Sequence, residues 1–430
     1  QVMFDQCKAL IIGLQKRGAV VGSSLNTAYL LERLSQTLER LETLMAIFVS
    51  NRYLPRRILL LTGCFARAAA ERHSISRLWK QSSGLIARSV TQNAGDHGEH
   101  YITRDKKEYW AMFYSAAGGG VLIALMALFK TYLGSIIDDK VWKGLAEGLN
   151  YGFGFMVIFM LHFTVATKQP AMTAARFAEA VEKNPQGKTL NMKLAQLLVD
   201  VFRSQSVAVL GNVVVAMGLA ALIAFVYQHQ TGEPLMNSEN IAYQLHRIDP
   251  LDGSLWFAAI AGVWLFCSGI ISGYFDNRSN YLNMRMRLAQ HPLLKKLMSE
   301  KSRVKFANYM HENYGSLIGN FCFGMLLGLT GLVGYLTHLP LDIRHVAFSS
   351  ANLGYSAVSG QFAYPFFLQC IAFVLLIGLV NLMVSFSLTL WVALRSLNTE
   401  IDSWWAIWHE VCQIVRKRPL SLFLPVQLDK

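Results

Sequence analysis

Charge is what this chain has least of. Asp, Glu, Lys and Arg make up 16% of its 430 residues, against about 25% in an ordinary soluble chain. The acidic side is the thinner one, 27 residues to 40 basic, for a net charge of +13. That shortage excludes a chain whose whole surface faces water. Cysteine is sparse too, six in all, and no Cys-x-x-Cys occurs. Cys7, Cys64 and Cys412 lie outside the apolar stretches and Cys267, Cys322 and Cys370 inside them. Neither a disulfide framework nor a zinc ribbon is expected. The Gly-x-x-x-x-Gly-Lys-Ser/Thr phosphate loop, the Gly-x-Ser-x-Gly elbow and His-Glu-x-x-His are all missing, so no catalytic residue is assigned. One string has a metal-like look, Asp96-His97-Gly98-Glu99-His100. It is short, lies on a loop and lacks a distant third ligand, and it reads as a polar linker. No metal and no cofactor are expected.

What the chain does have is apolar length. Hydrophobic residues make up 53% of it, gathered into six stretches at about residues 112–132, 146–167, 204–228, 254–275, 313–337 and 365–395. A helix needs roughly 20 apolar residues to cross a bilayer. The fold class expected is therefore all-α: a polytopic membrane protein of about six spans in three hairpins. Lys and Arg crowd alternate connections. Residues 168–203 and 276–312 together hold 14 of them, while 133–145, 229–253 and 338–364 together hold 4. The positive-inside rule then puts both termini and the two basic connections in the cytoplasm of a bacterial inner membrane. Asn237 and Ser349 fall in outer connections on this reading, and Lys301 in an inner one.

Three segments follow: a cytoplasmic helical region at 1–105, a spanning domain at 106–398 and an interfacial tail at 399–430. In the first, Leu31, Leu34, Leu38, Leu41, Met45 and Phe48 are spaced as an a/d seam, suited to a helix in a bundle or to a dimer. The first inner connection carries an amphipathic stripe, Leu190, Leu194, Leu197, Leu198 and Val201, suited to a leaflet surface. In the tail, Trp404, Trp405 and Trp408 precede Arg416, Lys417 and Arg418, the mix that favours a membrane–water boundary. The chain opens on Gln1 without a leader, so the natural protein is expected to be longer. Gly211-Asn212 and Gly319-Asn320 sit at matching places in spans three and five and suggest an internal repeat of hairpins.

Polar residues inside spans are the default functional candidates. Here they are Asn150, His162, Asn212, Asn320 and Asn381. Interhelical hydrogen bonding beside glycine is one reading of Asn212 and Asn320, and lining a substrate path is the other. A second candidate group lies at the inner ends of spans two and four: Lys168, Gln169, Asp276, Asn277 and Arg278. Lys168 and Arg278 suit a headgroup phosphate, with Asp276 orienting the arginine. A helix-end lock in which Asp276 pairs with Arg278 is the alternative.

Several strings occur together: Gly98-Glu99-His100-Tyr101-Ile102-Thr103-Arg104, Ser115-Ala116-Ala117-Gly118-Gly119-Gly120, Ala166-Thr167-Lys168-Gln169-Pro170-Ala171-Met172-Thr173-Ala174, Gly273-Tyr274-Phe275-Asp276-Asn277 and Ser350-Ala351-Asn352-Leu353-Gly354. Over about residues 95–400 the chain resembles the bacterial family labelled site-specific recombinase, of the Gcr type. The label implies DNA strand exchange. That reaction needs a Tyr or Ser nucleophile among arginines in a soluble DNA clamp, whereas most of these strings lie in or beside spans. The resemblance therefore implies membrane location but transfers no catalytic residue. The function expected is non-enzymatic: handling a lipid or other amphiphile, or scaffolding envelope proteins. The alternatives are the recombinase of the label and a small-molecule transporter. Expected partners are membrane lipids with anionic headgroups at the cytoplasmic face, membrane or envelope proteins, and a second copy of the chain. Nucleic acid is not among them.

Overall fold

The computed structural model describes residues 2–21, 25–49, 54–71, 103, 105–165, 181, 188–396, 401 and 403–424, and among these every regular element is a helix. In chain order they are α1 (Val2–Val21), α2 (Leu25–Val49), α3 (Leu54–Glu71), α4 (Lys106–Ile136), α5 (Lys140–Met160), α6 (Lys188–Thr231), α7 (Ser238–Ile248), α8 (Ser254–Tyr281), α9 (Met284–Gln290), α10 (Pro292–Leu297), α11 (Glu300–Thr337), α12 (Val346–Ser359), α13 (Tyr364–Ser396) and α14 (Trp404–Lys417). Five of them, α4, α6, α8, α11 and α13, are long and apolar enough to cross a membrane. The all-α polytopic architecture is thus as the sequence predicts.

The second predicted span is the exception to the count. Its helix, α5, has 21 residues and stops at Met160, short of the expected 167. His162 takes a left-handed backbone, φ 58°, which ends an α-helix. The next residues are captured by α4 instead. Thr164 N–H donates to the Ser115 carbonyl at 3.1 Å, and Ser115 Oγ donates to the His162 carbonyl at 3.0 Å. The amphipathic stripe of the first inner connection differs too. No Pro or Gly interrupts residues 188–210, so the stripe runs on into span three as one helix of 44 residues.

The chain divides into two compact units. One comprises residues 1–93, 273–314 and 395–398, and the other 94–272, 315–394 and 399–430. In the first, α1 packs on α2 through the Lys8–Glu42 ion pair, 2.5 Å, and buries Ile11. The predicted seam on α2 is only half covered, Leu34, Leu41 and Met45 each remaining nearly 50% exposed. Pro292 starts α10 at its first turn, where its missing N–H costs nothing. Ser279 bridges α8 to His311 of α11 at 3.0 Å.

The second unit is the bundle proper. α4 and α6 run parallel: Thr103 meets Ser204, Asn212 meets Ala116, and Gly120 lies against Asn212 and Ala216. α11 runs antiparallel to α5, with backbone against backbone where Gly328 meets Gly148. Only glycine allows that approach. Helices approach closely at Gly211 and Gly319: a side chain on Gly211 would strike the Phe113 carbonyl and Ala116, and one on Gly319 the Ser268 carbonyl and Ser272. The two asparagines beside them differ. Asn212 bonds across to α4 and to the Thr164 carbonyl at 2.9 Å, whereas Asn320 bonds back to Ser316 of its own helix at 2.8 Å. α14 buries Ile407 and Val411 and exposes Trp404, Trp405 and Trp408.

The main departure from expectation is the connection 338–364. It holds a buried helix, α12, rather than an outer loop. Ten of its fourteen residues are buried, and Ser349 is 7% exposed. Small side chains make it narrow enough to enter. Ala347, Ala351 and Tyr355 share one core with Ala216, Ala220 and Ala224 of α6, and Gly354 sits against the Met217 carbonyl. A helix start in an interior leaves backbone N–H groups that need partners. Asn381 of α13 supplies one: its Oδ1 accepts from Val346 N–H at 3.1 Å. Its Nδ2 donates to the carbonyls of Arg344, at 2.9 Å, and Ala258, at 2.7 Å.

One amide side chain therefore fastens α13, α12 and α8 together, and removing it leaves three buried backbone groups without that partner. At about 1–3 kcal/mol each, Asn381→Ala is expected to destabilise the protein by at least about 3 kcal/mol. Asn150→Ala removes a single bond, to the Met126 carbonyl, and costs about 1 kcal/mol. Thermal melts in detergent check the order; an Asn381 variant that melts with the Asn150 variant or above it refutes the fastening.

Candidate functional site

Within the bundle, α4, α5, α6, α7 and α11 surround a cavity of about 1200 Å³. It lies at the end of the bundle that carries the 137–139, 232–237 and 338–345 connections. The neighbouring helices are started by local chemistry: the Asp139 carboxylate caps α5 by accepting from Val141 and Trp142 N–H, and Asn237 caps α7 by accepting from Asn240 N–H. Leu125, Leu128, Phe129, Leu327, Leu332 and Leu341 provide apolar wall. Asn352 of α12 presents an amide to it.

Charge is concentrated here. Lys130, Lys140, Lys143 and Arg247 border the cavity against Glu147 and Asp342. Lys130 Nζ lies 3.0 Å from Glu147 Oε2, with the side chains 26% and 13% exposed, and 5.5 Å from the centre of the Tyr151 ring. That ring in turn packs on Phe348 of α12, centroids 4.4 Å apart. Lys140 sits over the Tyr335 ring at 4.1 Å. Among the described residues no carboxylate is within ion-pair distance of Lys140 or Lys143. The preformed ion pairs leave two cations over, so the cavity favours a ligand carrying negative charge.

The second charged group joins α7 to the entrance of α12. Arg247 donates to the Tyr243 hydroxyl at 2.7 Å and to the Ile343 carbonyl at 3.2 Å, and lies 3.6 Å from Asp342. Arg344 pairs with Asp342 at 2.6 Å and donates Nε–H to the Arg247 carbonyl at 2.7 Å. Burial alone would raise the Asp342 carboxyl, but the two guanidinium groups, the Arg344 hydrogen bond and the Ile343 N–H hold it down to about 2. Burial likewise works against the Arg247 cation, and attraction to Asp342 raises it nonetheless. Arg344 is lowered by burial and by repulsion from Arg247. The next residue, His345, is pulled down to about 4 by burial. Its ring packs with Phe155, Phe323 and Phe348.

The residues singled out from sequence lie elsewhere. None of Asn150, His162, Asn212, Asn320 and Asn381 borders this cavity. Four of them bond to backbone carbonyls as described, and His162 ends α5, exposed. Lys168 and Gln169 fall outside the described residues, as does the 96–100 string. Asp276 and Asn277 are half-buried on α8, and Arg278 is exposed and donates to the Tyr274 hydroxyl at 3.5 Å. Among the described residues no group of three His, Cys, Asp or Glu is placed to hold a metal.

A pattern in the sequence does point to the cavity. Lys130 and Glu147 are the lone charged residues of the first two predicted spans, and they pair with each other. The 4 basic residues of the base-poor connections are Lys140, Lys143, Arg247 and Arg344, and all of them belong to this one site.

Linkage gives a test of the Asp342 group. Its carboxyl is lower in the folded chain than an ordinary aspartate near 4. The stability it contributes is therefore present above about pH 4 and lost as pH falls toward about 2, by roughly 2 kcal/mol. Asp342→Asn is expected to be less stable than the parent at neutral pH and to lose less on acidification. Chemical unfolding across that range checks this, and parallel curves for the two proteins would contradict it.

The family described as site-specific recombinase matches residues 1–425 of the chain. No curated protein and no solved structure matches it.

Proposed function

The chain belongs to the site-specific recombinase family, and from its membrane architecture and its cavity we propose that it binds an anionic amphiphile rather than DNA. One observation carries the reading. Lys140, Lys143 and Arg247, three of the four basic residues of otherwise base-poor connections, border a cavity that also carries an apolar face of Leu125, Leu128, Phe129, Leu327 and Leu332, the combination a charged headgroup with a hydrocarbon tail requires. The family label suggests strand exchange. One described group sets a tyrosine beside two arginines, Tyr243 with Arg247 and Arg344, and its guanidinium groups are committed to Asp342 and to backbone carbonyls. A scissile phosphate would have to displace those partners within a helical bundle.

The orientation that fits is a bacterial inner membrane with both termini in the cytoplasm, supported by the 14-to-4 distribution of basic residues. The cavity then opens away from the cytoplasm. The exposed tryptophan face of α14, with Arg416 to Arg418 after it, suits the cytoplasmic headgroup layer.

Two measurements test this. Native mass spectrometry of the detergent-purified protein should show retention of phosphatidylglycerol over phosphatidylethanolamine. Lys140→Glu with Lys143→Glu should weaken that binding at least about tenfold, since even one charge-assisted contact is worth about 1.5–3 kcal/mol. Unchanged occupancy in a variant that melts like the parent would sink the proposal. For orientation, a single cysteine at Asn237 in a cysteine-free background should react with an impermeant thiol reagent in intact cells, and one at Lys301 should not. The reverse pattern would invert the topology.

A further inference from the structure

Resting on the cavity reading above, we infer that Glu147 is a proton-accepting switch: an anionic headgroup engages Lys130, Glu147 is displaced from it, and the carboxylate takes up one proton as the ligand enters. The starting geometry is the Lys130–Glu147 pair, joining α4 to α5 at 3.0 Å with both side chains largely buried and both bordering the cavity. The only cation inside the first spanning helix's apolar run is thus already occupied by the only carboxylate within α5. An incoming anion that reaches Lys130 makes a third charge in the group. The anion takes Lys130 together with Lys143, the unpaired cation one turn before Glu147 on α5, so the displaced carboxylate is left without a counter-ion, and a buried unpaired carboxylate is costly enough to be neutralised by protonation.

The exchange balances. Before it, the site holds a lysine cation paired with a carboxylate, with the ligand anion and a proton outside. Afterwards it holds the lysine cation paired with the ligand anion and a neutral Glu147 carboxylic acid. No net charge has entered the bundle. That distinguishes the switch from simple capture of an anion, which would lower the net charge of the cavity by one and take up no proton.

The other groups facing Glu147 leave the proton to it. From its own helix come Lys140, Lys143 and Tyr151, from α4 Lys130 and Tyr132, from α6 Tyr227, from α7 Tyr243 and Arg247, and from α11 Tyr335. The ordinary ranges of lysine, arginine and tyrosine all lie above about pH 8. The connection before α12 contributes Asp342, whose carboxyl two arginines hold down to about 2. α12 contributes Asn352, which has no charge to change. His345 lies behind, among phenylalanine rings, and stays neutral in this range.

The experiment is binding of a short-chain phosphatidylglycerol, whose phosphodiester keeps its charge across that same range, to the full chain in detergent. Isothermal titration in two buffers of different ionisation enthalpy reads proton uptake directly. The inference expects uptake of about one proton per ligand at neutral pH, and affinity that rises up to about tenfold for each pH unit of acidification. Glu147→Gln mimics the protonated state and should bind with the parent's acid-range affinity at every pH, without proton uptake. Binding by the parent with no proton uptake and no pH dependence overturns the switch and leaves the cavity reading standing. Absence of binding at any pH, in a protein that melts normally, removes the cavity reading and the switch with it. The proton count on the parent needs no variant, so a Glu147→Gln chain that fails to fold does not blunt the test.

Discussion

A helix that begins inside a bundle must find partners for its first N–H groups within the protein, because no water or lipid group there can serve. α12 begins in that situation, and Asn381 of α13 meets the need with a single amide that also holds the carbonyls of Arg344 and Ala258. Much else is arranged around that point. Arg344 N–H donates to the Phe257 carbonyl at 3.2 Å, so the connection leading into α12 is bound to the first turn of α8. The Arg344 side chain reaches back to α7 and across to Asp342. The polar network that seats the central helix and the charged group at the cavity are one continuous structure.

The same economy explains why charge is tolerated in the interior. Isolated, each of these groups would be expensive. Paired, the Lys130–Glu147 bridge ties α4 to α5, and the Arg247–Asp342–Arg344 group ties α7 to the entrance of α12. Each bridge also faces a cavity, so its partners can be exchanged for a ligand's. A fully enclosed pair would serve only to fasten. A pair on a cavity wall fastens and can also respond.

Much of the fold was legible in the sequence because bilayer thickness imposes a length that hydropathy reveals directly. The five longest helices fall where the apolar runs are. What escaped were features set by tertiary contact. α12 has 14 residues, too few to cross, and Ser349, Ser350 and Ser356 dilute its hydropathy; it is buried because its small residues fit against α6. α5 ends early because α4 captures Thr164. The cavity was less legible still. Lys130 and Glu147, read separately, look like charges near the edges of spans, and only folding brings them together. Arg247 and Arg344 stand out in the sequence only as the single bases of two base-poor connections. Asn381 was visible as a polar residue within a span, but its three backbone partners come from α8 and from the entrance of α12.

The order of these elements along the chain has a consequence for biogenesis. α12 precedes α13, yet the amide that accepts its first N–H belongs to α13, midway along it. A nascent chain that has emerged only as far as Tyr364 possesses α12's sequence and most of its packing surface, but not the group that satisfies its start. A chain cut short before Asn381 therefore has the packing partners of its central helix on α6 but not the amide that accepts from its first N–H and holds the Arg344 and Ala258 carbonyls.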